Sequence, residues 1–67
     1  MNSYIVLYRI ESIMTPLDSP FSFSCIAYST EDAEQQCINA YPDGDIVWVY
    51  AGNDTNGAYE DYYNVVD

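Results

Sequence analysis

YIVLYRIE, residues 4–11, is the stretch on which the fold turns. β-Branched and aromatic side chains fill it, the composition of a strand. At strand period Tyr4, Val6, Tyr8 and Ile10 share one face, and Ile5 and Leu7 share the other, followed by Arg9 and Glu11. Both faces begin apolar. A strand that is apolar on both sides needs cover on both sides, so this one belongs in the middle of a sheet.

The flanking sequence supplies the neighbours. Residues 12–20, SIMTPLDSP, carry two prolines and read as a loop. FSFSCIAY, residues 21–28, alternates Phe21, Phe23, Cys25 and Ala27 with Ser22 and Ser24, the pattern of a strand with one core face. Ser29-Thr30-Glu31-Asp32 opens a helix: Ser29 accepts from the amide of Asp32 while Asp32 reaches back, as in a capping box. Glu31, Asp32 and Glu34 lie in its first turns, where the helix dipole favours negative charge. Ala33, Cys37, Ala40 and Tyr41 share its apolar face, and Pro42-Asp43-Gly44 ends it. A third strand follows at residues 45–51, DIVWVYA, with Val47, Val49 and Ala51 alternating against Ile46, Trp48 and Tyr50. GNDTNG, residues 52–57, is a loop. Tyr59, Tyr62, Tyr63 and Val66 then recur at i, i+3, i+4 and i+7, which predicts a short C-terminal helix, although Tyr and Val suit a strand equally well.

The expected fold is a single α+β domain over residues 1–67. It is a three-stranded sheet in β-β-α-β order with one packed helix and a final short helix. A right-handed crossover through the first helix places the third strand beside the first, giving the order 3-1-2. One helix covers one face, meeting Phe21, Phe23, Cys25, Val47 and Val49. The opposite face then carries Ile5, Leu7, Ile26, Tyr28, Trp48 and Tyr50. Three outcomes are open for it: a free interaction surface, cover by Tyr59, Tyr62, Tyr63 and Val66 of the last helix, or a homodimer packed through that face.

Charge narrows the function. Eleven carboxylates face one cation, Arg9, in a chain of 67 residues with no Lys and no His, for a net charge of −10. Such a chain repels nucleic acid and anionic membrane, since phosphate binding needs Lys or Arg. It attracts basic surfaces over a screened range of roughly 8 Å at physiological salt. No signal-peptide pattern and no apolar run near ~20 residues occurs, so a soluble, cytoplasmic protein is the expectation.

Little catalytic chemistry is on offer, and no cofactor is called for. Without His the usual general base and the commonest metal ligand are missing. Cys25 and Cys37 both fall on core-facing positions, where thiols behave as small inert hydrophobes rather than a redox pair. Two thiols alone do not make a zinc site. Aligning Gly57 with the invariant glycine of an EF-hand puts Gly52 and Tyr63 at the anchoring ligand positions, and neither offers a carboxylate. That leaves at most a weak cation site from Asp54 and Glu60. The carboxylate pairs Glu31/Asp32, Asp43/Asp45 and Glu60/Asp61 fall in turns and helix ends, where burial does not raise a pKa for acid catalysis. The expectation is a non-enzymatic binding protein.

In size, acidity and β-rich small-domain layout the chain resembles the phage-encoded DNA-mimic proteins that block restriction, CRISPR or DNA-processing enzymes. The likeness lies in composition and layout and carries no shared motif. It implies an inhibitor, working in the host cytoplasm, that fills the basic groove of a nuclease or other nucleic-acid-processing protein. Glu31, Asp32, Glu34, Asp54, Glu60 and Asp61 would stand in for phosphates, and the rings of Tyr59, Tyr62 and Tyr63 would supply the less polar contact. The other reading is a structural or adaptor module, or a virion accessory protein. It would bind a protein or itself through the aromatic face, with Tyr28, Trp48 and Tyr50 as anchors.

Overall fold

The computed structural model describes residues 1–66, with the backbone alone at Val66. Five elements follow in order: β1 (Asn2–Arg9), β2 (Phe21–Ala27), α1 (Thr30–Ala40), β3 (Asp45–Ala51) and α2 (Thr55–Val66). The sheet order is β2-β1-β3, with β1 antiparallel to both neighbours. This is the α+β layout read from the sequence, with YIVLYRIE in the central strand. That strand begins two residues earlier and ends at Arg9, because the Ile10 carbonyl accepts from the Ile13 N–H at 3.1 Å and turns the chain.

Strand period divides the core in two. Tyr4, Val6 and Tyr8 pack with Ala27 and with Ala33 and Cys37 of α1. Ile5 and Leu7 point the other way, onto Ala58 of α2. Ile5, Val6 and Leu7 are all fully buried, and each such side chain stabilises the fold by about 1.5–3 kcal/mol relative to exposure. The two helices therefore lie on opposite sides of the sheet. The last helix covers the second face, by Ala58, Tyr59 and Tyr62 against Val47, Trp48 and Tyr50. The side chain of Val66 lies outside the described residues.

One expected facing is corrected. Leu7 pairs with Trp48 but Tyr8 pairs with Ile46, so β3 carries a bulge with Val47 as the extra residue. A bulge shifts the side-chain alternation by one. Ile46 consequently joins Val49 under α1, and Val47 moves to the α2 face beside Trp48.

Helix ends follow the local chemistry. Ser29 is extended and its Oγ accepts from the Asp32 N–H at 3.2 Å. Asp32 reaches back one residue further than a capping box requires, accepting from the Tyr28 N–H at 3.0 Å. α1 stops at Ala40, which is exposed. Tyr41 lies beyond the helix, its ring stacked on Tyr8 at 4.8 Å. The Gly44 N–H closes the following turn onto the Tyr41 carbonyl at 2.9 Å. α2 starts earlier than the turn-like GNDTNG suggested. The Ala58 N–H bonds the Asp54 carbonyl at 3.0 Å, which places Asp54 at the N-cap and Gly57 inside the first turn. A Cβ on Gly57 would stand 2.8 Å from the Tyr50 hydroxyl, so glycine there lets α2 come down onto the sheet. No helix of the described residues is long and apolar enough to cross a membrane.

Candidate functional site

The sole side-chain cation is turned onto its own chain. Arg9 sits at the end of β1 and donates from Nη1 to the Asp18 carbonyl at 2.7 Å and from Nη2 to the Thr15 carbonyl at 2.6 Å. Its Nε lies 3.5 Å from Glu11. The loop it grips is a turn over Thr15-Pro16-Leu17-Asp18. Proline suits the second position of such a turn, the Asp18 N–H bonds the Thr15 carbonyl at 3.1 Å, and Asp18 Oδ2 accepts from the Thr15 N–H at 2.8 Å. Tyr59 and Tyr63 tie the far end of the loop to α2. Their hydroxyls donate to the Pro20 carbonyl at 2.6 Å and to Ser19 Oγ at 2.8 Å.

No charged side chain among the described residues is buried. With Arg9 occupied, the described carboxylates stand at the surface almost unopposed. The six singled out from the sequence divide between two layers. Glu31, Asp32 and Glu34 belong to α1 on one side of the sheet, and Asp54, Glu60 and Asp61 to the start of α2 on the other. Glu31, Asp54, Glu60 and Asp61 are exposed; Asp32 and Glu34 are half-buried. Asp32 is committed to capping, and it also lies 3.4 Å from the Gln36 amide. Both layers reach β3. Glu34 lines a shallow groove of about 330 Å³ with Ile46, Val47, Trp48 and Val49. On the other face Asp61 Oδ2 accepts from Trp48 Nε1 at 3.0 Å.

Of the three outcomes open for the second sheet face, cover by the last helix is the one observed, and it takes up part of the aromatic set. Trp48, Tyr50, Tyr59 and Tyr62 are half-buried between sheet and α2, so they build the second core layer instead of an open patch. Trp48 and Tyr62 meet edge to face at 6.2 Å. Tyr63 is partly exposed, and Tyr28 is 77% exposed at the end of β2. Tyr28 and Ile26 are what remains open of the expected apolar face.

Burial raises the Cys25 thiol pKa, and Asp32 adds to the rise; burial and then Cys25 raise that of Cys37. Both are free and lie in the α1-side core, which makes them poor nucleophiles. Burial, followed by hydrogen bonding to Tyr41, pushes the Tyr8 hydroxyl up to about 12. Among the described residues no three His, Cys, Asp or Glu side chains come together to hold a metal ion, and Asp54 with Glu60 makes no such group.

No family model, no curated protein and no solved structure matches the chain. Its surface chemistry therefore carries the functional argument. The molecule spans 34 × 26 × 14 Å. An acidic helix lies on each face of the sheet, and both helices reach β3. The sequence pointed to these carboxylates but not to their division. Nor did it reveal that Arg9 is withdrawn, although the turn-forming TPLD four residues wide offered a place for it.

Proposed function

We propose that this chain is a non-enzymatic acidic binding protein that occupies a basic nucleic-acid cleft on a protein partner. The observation that carries the reading is the withdrawal of Arg9 into loop carbonyls, which leaves both layers negative. A duplex as long as the 34 Å axis carries about 20 phosphates on its two strands. Eleven carboxylates are close to the count of one strand. Their division between two layers fits a cleft with two basic walls better than one flat basic patch. Restriction, CRISPR or DNA-processing enzymes offer clefts of that kind, and a phage-encoded inhibitor acting in host cytoplasm is the setting that suits such a protein. Of the six rings read from the sequence as contacts, Tyr28 and Tyr63 are left at the surface to add less polar contact.

The test is capture of partners on the immobilised chain at low and at high salt, with duplex DNA as competitor. Nucleic-acid-binding proteins should be retained at low salt and released by salt and by duplex alike. Partners that survive high salt, ignore DNA and are lost on Tyr28→Ala would instead support an adaptor and end the mimic reading.

A further inference from the structure

We propose that the β2 edge is a self-association site, at which two copies of this chain pair antiparallel through Phe21–Ala27 and join their sheets. The inference does not depend on the proposed function.

It begins with which backbone groups face outward. The Gly52 N–H bonds the Ser3 carbonyl at 2.9 Å, so the polar groups of Ser3 face β3. In an antiparallel ladder a residue's N–H and C=O point to the same side. Ser3 is paired with Ile26. That pair is therefore of the non-hydrogen-bonded kind, and the N–H and C=O of Ile26 point away from β1. At period 2 the same holds for Ser24, Ser22 and Tyr28. Side chains of α1 answer two of these groups: Gln36 Nε2 donates to the Ile26 carbonyl at 3.1 Å, and Asp32 accepts from the Tyr28 N–H. The N–H and C=O of Ser22 and Ser24 and the N–H of Ile26 are left facing solvent.

An open edge invites another strand, and proteins blunt such edges with bulges, charges or proline. β3 is protected in this way, by the bulge at Val47, by Asp45 at the start of the strand, and by Glu34 and Asp61 on either side. Between Phe21 and Ala27 β2 has no bulge, charge or proline, and Asp32 and Gln36 of α1 answer only its C-terminal end. Its register against β1 is unbroken from Phe21 to Ala27, and no charged residue occurs from Ser19 to Thr30.

The strand is complementary to itself. Antiparallel pairing centred on Ser24 sets Phe23 beside Cys25 of the second copy and Phe21 beside Ala27, large against small on the α1 side. On the other side Ser24 meets Ser24, and Ser22 meets Ile26. This register joins outward groups to outward groups, and the Ile26 carbonyl has a second lone pair beside the one Gln36 uses. It also places the acidic starts of the two α1 helices at opposite ends of the seam, roughly 25 Å apart at the rise of a strand. Each copy still carries −10, so association should strengthen by about tenfold or more when salt is raised to about 1 M and the screening length falls to roughly 3 Å. Binding to a basic partner has the opposite salt dependence, which separates the two proposals.

Sedimentation equilibrium of the full chain at rising concentration and salt tests this. The mass should climb from 7.6 kDa towards twice that value in high salt. Ser24→Pro removes an outward N–H that the fold does not use, and Ser24→Glu sets like charges opposite one another on the seam. Both variants should weaken association at least about tenfold, with Trp48 emission and far-UV circular dichroism reporting the fold. A chain that stays at 7.6 kDa near about 1 mM protein in about 1 M salt overturns the proposal. So does self-association that Ser24→Glu leaves at the wild-type strength.

Discussion

Leu7→Ala tests whether α2 is an integral layer of the fold. Leu7 lies on the central strand, fully buried, in one core cluster with Ile5 and Ala58 and across the ladder from Trp48. Truncating a fully buried leucine costs about 2–5 kcal/mol, more when the site does not collapse. Collapse is difficult here because β1 is held by a strand on each side. A domain of 67 residues is stable by roughly 3–10 kcal/mol in all, so the variant should lose a large part of its stability. With a urea slope near about 1 kcal/mol/M, the midpoint should fall by about 2 M or more. Trp48 is the one tryptophan and sits in the same layer, so its emission follows the loss directly. The comparison is Ser22→Ala, the exposed partner of Leu7 on β2, expected to change stability by less than about 0.5 kcal/mol. A Leu7→Ala cost below about 1 kcal/mol, or one equal to Ser22→Ala, would mean that α2 does not cover this face.

Three further outcomes follow from the same structure. Tyr8 keeps its proton in the fold to about pH 12, while the unfolded chain loses it near 10, so above pH 10 the unfolded state binds fewer protons and stability should fall progressively between pH 10 and 12. Tyr8→Phe should flatten that loss in denaturation curves taken from pH 9 to 12. Arg9→Met keeps the stem but frees the Thr15 and Asp18 carbonyls; loop amides should exchange at least about tenfold faster, with a global cost near about 1–3 kcal/mol measured by urea unfolding. Finally, a thiol reagent at pH 8 should label half-buried Cys25 before buried Cys37, and both much more slowly than in denaturant; equal and rapid labelling of the folded chain would contradict their place in the core.

How far the sequence could be read follows from the range of each interaction. YIVLYRIE announced a central strand because burial on both faces is written in consecutive residues. The Ser29 cap and the Pro42-Asp43-Gly44 stop were equally local. The bulge was not legible, since it depends on how Trp48 and Ile46 register against Leu7 and Tyr8 across the sheet. Asn53-Asp54-Thr55-Asn56-Gly57 looked like a loop because turn formers and N-cap residues are the same residues. Gly57 finds its reason in Tyr50, a tertiary neighbour. The candidate site was legible as composition, a charge of −10 with one arginine. Its arrangement was not. Nothing local says that α1 and α2 take opposite faces, that Arg9 closes on residues 15 and 18, or that Trp48 and Tyr50 are covered.

The decisive measurement is the slope of affinity against salt for a basic nucleic-acid-binding protein recovered by low-salt capture. It would be taken for the wild type and for two paired variants, Glu31→Gln with Glu34→Gln on α1 and Glu60→Gln with Asp61→Asn on α2. A chain gripped between two cationic walls should show a steep slope that either pair flattens to a similar degree. A slope that neither pair alters, or a shallow one from the outset, would remove the carboxylates from recognition and with them the account of what this protein does.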